Sequence, residues 1–230
     1  MATEEVKIPE TTPSGRTVHP PREHQDVWNK FGKYAVYGLA ALVLIVGGYF
    51  AYNHFVKAPK EAKAAEAIWR AEELYRMDSA NLALNGDGTT LGFLKIIDRY
   101  SGTDAATLSK FYAGSCYMKL GDFPNAVKYL SDFKSDDELL NIRATGLLGD
   151  AYAEQGKNAE AADQYKKAGT LYENDIFNSP EYLFRAGLLY QDLNKNKEAV
   201  DMFKRIKEKY PTSQYGRDID KYLARLGSYE

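Results

Sequence analysis

From Ala58 onward the apolar residues return every three or four positions, the period of a helix with one buried face, and no run alternates apolar with polar residues as a half-buried strand does. Proline occurs there only at Pro59, Pro124, Pro180 and Pro211, each where a helix can start or end. The expected class is all-α. The N-terminal stretch follows a different rule. From Tyr34 to Tyr52 the chain reads "YAVYGLAALVLIVGGYFAY", 19 residues without a charge. At 1.5 Å per residue that is close to the length needed to cross the hydrocarbon core of a bilayer. A buried core helix has similar composition, but here Trp28, Phe31, Tyr34 and Tyr37 crowd one end and Tyr49, Phe50, Tyr52 and Phe55 the other. Aromatic residues gather in this way at the two lipid–water interfaces. Lys30, Lys33, Lys57 and Lys60 bracket the segment and can snorkel to headgroups. The apolar run is too long and too far from the start for a cleavable signal, so a single uncleaved membrane anchor over residues 28–56 is expected.

Orientation is not set by charge. Arg16, Arg22, Lys30 and Lys33 on one side balance Lys57, Lys60, Lys63 and Arg70 on the other. Residues 1–27, with Pro9, Pro13, Pro20 and Pro21 and no apolar period, read as a disordered polar tail.

Within the helical region a single phrase returns. "FYAGSCYMKLGDFPNAVKYLSDF" is followed by "GLLGDAYAEQGKNAEAADQYKKA" and then by "FRAGLLYQDLNKNKEAVDMFKRI". Gly114, Gly149 and Gly187 share one offset, Tyr117, Tyr152 and Tyr190 a second, and Ala126, Ala161 and Ala199 a third. Glycine inside a helix costs about 1 kcal/mol against alanine, so its recurrence implies that another helix approaches closely there. The small Ala126, Ala161 and Ala199 of the following helix are the expected partners. Gly121, Gly156 and Asn194 suit the left-handed backbone that ends a helix and turns the chain back.

This pattern resembles the tetratricopeptide repeat, two antiparallel helices in about 34 residues with Gly, Tyr, Ala, an aromatic residue and Pro at these offsets. The resemblance implies an α-solenoid of helix hairpins with units at 107–137, 142–173 and 180–212. A degenerate first unit at 58–104 would open with "KEAKAAEAIWRAEELYRM", its apolar face made of Ala64, Ala65, Ile68, Trp69 and Leu74. The insertion "NLALNGDGTT" then reads as a long polar turn, and residues 213–230 as a capping helix.

The chain has 230 residues, 44% hydrophobic and 27% charged, with net charge -2. A near-neutral balance leaves no basic footprint for nucleic acid. His19, His24 and His54 lie in the tail or at the membrane border, and the single cysteine, Cys116, sits in an apolar helical pattern, so no metal-ligand set is expected. "NGDGTTLG" lacks the lysine of a phosphate-binding loop and follows a helix, not a strand. "KSDDELLN" reads as a helix start, with Asp136 and Asp137 at its positive end. Neither an enzyme, nor a cofactor, nor a small-molecule substrate is implied.

What remains is a surface. In tetratricopeptide arrays the first helices of successive units line a groove that holds a peptide or a partner helix. By resemblance its residues here would be Phe111, Ser115 and Met118, then Arg143, Asp150 and Glu154, then Phe184, Leu188 and Gln191. The whole layout, a short polar tail, one anchor and C-terminal repeats, resembles the YfgM-type ancillary subunits of the bacterial SecYEG translocon. That likeness implies an inner-membrane protein with its N-terminus in the cytoplasm and its repeats in the periplasm. Its partners would be the translocon, secreted clients and periplasmic chaperones. The other reading is a scaffold for envelope assembly or for a secretion machine. A lipoprotein is excluded because no cysteine sits at the end of the apolar segment to take the lipid, and Cys116 lies far beyond it.

Overall fold

The computed structural model describes residues 22–228, with side chains from Phe31 onward. Of the tail expected at residues 1–27, residues 1–21 lie outside the described residues. No strand occurs among the described residues, and the chain divides into two compact units between Asn53 and His54. The fold is all-α, as the period demands.

Among the described residues the first unit holds one long helix, α1 (Arg22–Tyr52). It begins six residues before the expected start of the anchor at residue 28, because "REHQDVW" carries no helix breaker after Pro20 and Pro21. Its apolar side chains face outward: Leu44 is 76% exposed and Ile45 71%. This helix is long and apolar enough to cross a membrane, and none of its apolar window is buried.

A π-helical turn (Asn53–Lys57) crosses the boundary, and the second unit continues with α2 (Ala58–Arg76). Two short helices follow, α3 (Ala80–Asn85) and α4 (Phe93–Arg99). Then come three hairpins. They are α5 (Asp104–Lys119) with α6 (Phe123–Ser131), α7 (Glu138–Ala153) with α8 (Asn158–Leu171), and α9 (Asn178–Asp192) with α10 (Asn196–Lys209). A 3₁₀ turn (Gly216–Asp218) and α11 (Ile219–Arg225) close the stack.

The hairpin turns are built alike. Asp122 N–H donates to Tyr117 O at 2.9 Å, Lys157 N–H to Tyr152 O at 3.0 Å, and Lys195 N–H to Tyr190 O at 2.8 Å. Each bond spans a residue with positive φ, namely Gly121 (73°), Gly156 (72°) and Asn194 (58°). This six-to-one closure satisfies a carbonyl that the helix end would otherwise leave open. The starts of α6 and α7 are capped by side chains: Asp122 accepts from Asn125 N–H, and Asp137 from Leu140 N–H at 3.0 Å.

The mid-helix glycines mark close approaches, but their partners lie one turn beyond the alanines expected. A methyl on Gly114 would sit 2.5 Å from Leu130 Cγ, and one on Gly149 would sit 2.6 Å from Tyr165 Cε1. A methyl on Gly187 would collide with the Phe203 ring. Ala126, Ala161 and Ala199 are fully buried nearby, and it is the larger residue four positions on that fills the space above each glycine.

The first repeat-like segment departs from its expected face. Ala64, Ile68 and Ala71 are buried, whereas Ala65 is exposed and Trp69 is 55% exposed. The stripe runs i, i+4, i+7, and Trp69 lies a third of a turn away from it. Nor is the insertion only a polar turn. Its "ANLALN" forms α3 and buries Ala83 and Leu84, while Asp87 accepts from Thr89 and Thr90 N–H to tighten the remaining loop. At the other end Ile219 and Leu223 of α11 are 1% exposed, so the capping helix carries a buried face against the last hairpin.

Candidate protein-binding surface

The first helices of the hairpins, α5, α7 and α9, carry the residues expected to line a groove. Seven of these nine are half-buried, and only Arg143 and Glu154 are exposed. Phe111 packs edge-on to Tyr112 and lies 5.7 Å from the Phe133 ring, and Met118 packs on the same cluster. Ser115 shares a 2.6 Å hydrogen bond with Tyr75 Oη, which ties α5 to α2. Phe184 is surrounded by Phe203, Tyr215 and Tyr222, with ring separations of 6.0, 5.0 and 4.9 Å. Leu188 packs on the same cluster, and Gln191 is half-buried. The structure thus gives Phe111, Met118, Phe184 and Leu188 to packing between helices, and leaves Arg143 and Glu154 exposed.

The most developed polar cluster among these helices was not legible as a unit in the sequence. Tyr165 of α8 occupies the position held by Leu130 and Phe203 in the neighbouring hairpins, against the helix glycine. Its ring is 3% exposed, so its hydroxyl must find a partner. That partner is Asp150 Oδ1, which accepts from Tyr165 Oη at 2.5 Å. The same carboxylate is ion-paired with Arg185 of α9. Arg185 Nη2 also donates to Tyr165 Oη at 2.8 Å, and its guanidinium lies 4.2 Å from the Tyr165 ring centre. Tyr182, one helical turn earlier on α9, stacks on Tyr165 with 13° between the ring planes. Gly146 of α7 leaves room for Tyr182, since any side chain there would meet its phenol ring.

Burial pushes the Tyr182 hydroxyl up to about 12, with the Asp150 charge acting in the same direction. Burial and then Asp150 also raise Tyr165. Both phenols therefore stay neutral, and Tyr165 remains a donor. Asp150, expected to face the groove, is the hub joining two hairpins, and its carboxylate is still partly open to solvent. A parallel but simpler bond links Tyr190 Oη to Asp163 at 2.7 Å.

Sequence reading also missed two exposed apolar residues, Ile176 (61% exposed) and Phe177 (78%), in the loop before α9. With Pro180, Tyr210 and Tyr215 they border a cleft of about 410 Å³. The signal was present: "DIF" is an apolar pair outside any helical period. Cys116 is fully buried, and burial pushes its thiol up to about 12, which makes it a core residue. Among the described residues no group of three or more His, Cys, Asp or Glu is placed to hold a metal ion.

Comparison of the sequence with curated proteins finds no match. Family models of the tetratricopeptide repeat match residues 109–137, 142–175 and 181–213. Those segments are the α5–α6, α7–α8 and α9–α10 hairpins, with the repeated glycine contacts and turn closures described above. Over these segments the chain carries tetratricopeptide repeats, a module that indicates protein–protein interaction.

Proposed function

We propose that the protein is a membrane-anchored interaction module that serves protein export as an accessory of the Sec translocon. In this reading α1 spans the inner membrane once, with the N-terminus in the cytoplasm. The repeats then stand in the periplasm, where they meet emerging polypeptides and periplasmic chaperones. The observation that supports it is the combination in one chain of an outward-facing apolar helix and three stacked repeats. A surface of this kind suits segments bound briefly through charge and hydrogen bonds, because Arg143 and Glu154 are exposed and the aromatic residues are held in packing.

A second reading, a scaffold for envelope assembly or a secretion machine, draws on the exposed Ile176–Phe177 pair. An apolar pair of this exposure suits a fixed partner better than transient clients. The test is photo-crosslinking from Arg143, Glu154 and Phe177 in the full chain in its native membrane, followed by mass spectrometry. Translocon subunits and chaperones captured through Arg143 or Glu154 support the export reading. Outer-membrane or secretion-machine components captured through Phe177, without the translocon, overturn it in favour of the scaffold.

A further inference from the structure

The turn after the apolar helix carries a feature that neither the repeats nor the groove use. Phe55 is 75% exposed and Val56 50%, two large apolar side chains adjacent in the chain. Beside them Pro59, Lys60 and Lys63 of α2 meet Arg99 and Tyr100 at the end of α4 and border a cleft of about 390 Å³. No carboxylate lines this cleft. Arg99 lies over the Tyr100 ring at 5.7 Å, and Lys60 Nζ donates to Ser101 O at 2.7 Å, which pins α2 to the loop after α4. Lys57, Lys63 and Arg99 make no ion pair with a carboxylate among the described residues, and all three are exposed.

Exposed aromatic and aliphatic residues ringed by unpaired cations match the chemistry of a bilayer interface, apolar below and anionic at the surface. The position in the chain agrees, since Phe55 follows Tyr52 of the apolar helix by only three residues. We propose that this cationic, aromatic face docks onto anionic phospholipid headgroups and holds the repeat unit against the membrane. The proposal rests on the reading that α1 spans the bilayer.

The test uses the full chain in nanodiscs of phosphatidylcholine alone or with added phosphatidylglycerol. An environment-sensitive fluorophore sits on a cysteine introduced by Asp98→Cys, next to Arg99 and exposed; Cys116 is buried and does not compete. Headgroup-attached nitroxide reads proximity by quenching. The expected result is stronger quenching with phosphatidylglycerol, reversed by high salt and by Lys57→Gln, Lys63→Gln and Arg99→Gln. Each removed cation lowers the ratio of docked to undocked states about fivefold, the factor equivalent to ~1 kcal/mol per basic residue near an anionic surface. Lys60 is left in place because of its bond to Ser101. Equal quenching in the two lipids, or quenching that survives the triple substitution, overturns the proposal. So does an equal rise from a label placed by Ser131→Cys on another hairpin. Failure of the chain to enter nanodiscs at all, or its release by alkaline carbonate, instead defeats the spanning reading.

Discussion

Arg185 donates to Tyr165 Oη at 2.8 Å while its guanidinium lies 4.2 Å from the centre of the same ring, and both groups converge on Asp150. One side chain from each of three successive helices is thereby fixed by the other two. Removing the acceptor should leave a half-buried cation and a buried hydroxyl without their partner. Asp150→Ala is expected to cost about 1–2 kcal/mol, at the modest end for lost charged hydrogen bonds because the pair is partly open to water. Tyr165→Phe alone should cost less. The double variant should fall short of the sum by a measurable coupling energy, read by urea unfolding of all four proteins. Additive losses would mean that the three groups act independently.

Glycine in a helix is normally replaced by alanine with a gain of about 1 kcal/mol. Gly149→Ala should do the opposite, because the methyl would arrive 2.6 Å from the Tyr165 ring, and Tyr165 is held by Asp150 and Arg185. The expected loss is about 1–3 kcal/mol, the range for overpacking. Gly114→Ala meets the Leu130 side chain, which has no hydrogen bond to hold it and can change rotamer. It should cost less. Thermal melting of the two variants ranks them, and equal losses would show that the ring has as much freedom as the leucine.

These contacts divide what could be read in the sequence from what could not. Hairpins, turns and repeat period were legible because Gly121, Gly156 and Asn194 recur for a local reason, the left-handed turn. The partners of Gly114, Gly149 and Gly187 were placed on the wrong residue. Spacing marks a close approach but does not tell which side chain of the next helix leans over it. The rotation of α2, which hides Ala71 and exposes Trp69, depends on how α3 and α5 pack against it, and no local signal carries that. The Asp150 hub joins residues 15 and 35 positions apart on three helices, so it becomes visible only once the repeats are stacked.

Alkaline pH should unfold the repeats by way of their buried phenols. In the unfolded chain tyrosine titrates near 10, whereas the folded Tyr182 is pushed up to about 12 by burial. A raised folded value means that the stabilising difference is fully present below pH about 10 and is lost as pH climbs toward 12, because the unfolded state releases its proton first. Melting temperature should therefore fall across that window. Tyr182→Phe should flatten the fall, even if the variant starts lower. A wild-type melting curve that stays level through the window would contradict the assignment.

Cys116 provides a chemical probe of the first hairpin. Its side chain is fully buried and its thiol is pushed up to about 12 by burial, so the nucleophilic thiolate is almost absent at neutral pH. Modification by a disulfide reagent should proceed at the rate at which α5 opens and should accelerate in urea with the unfolding transition. Rapid modification of the native protein would place Cys116 in a locally open segment.

Phe177 should separate surface function from stability. It is 78% exposed, and the start of α9 is secured without its side chain, since Asp175 accepts from Phe177 N–H and Asn178 N–H at 2.9 Å. Phe177→Ser preserves both backbone donors, so unfolding free energy should move by no more than about 0.5 kcal/mol, as for exposed positions generally. If the Ile176–Phe177 pair seats a fixed partner, the same substitution should abolish crosslinks formed through this loop while those from Arg143 persist. A large loss of stability would show instead that the ring closes over the cleft beside Tyr210 and Tyr215 and belongs to the fold.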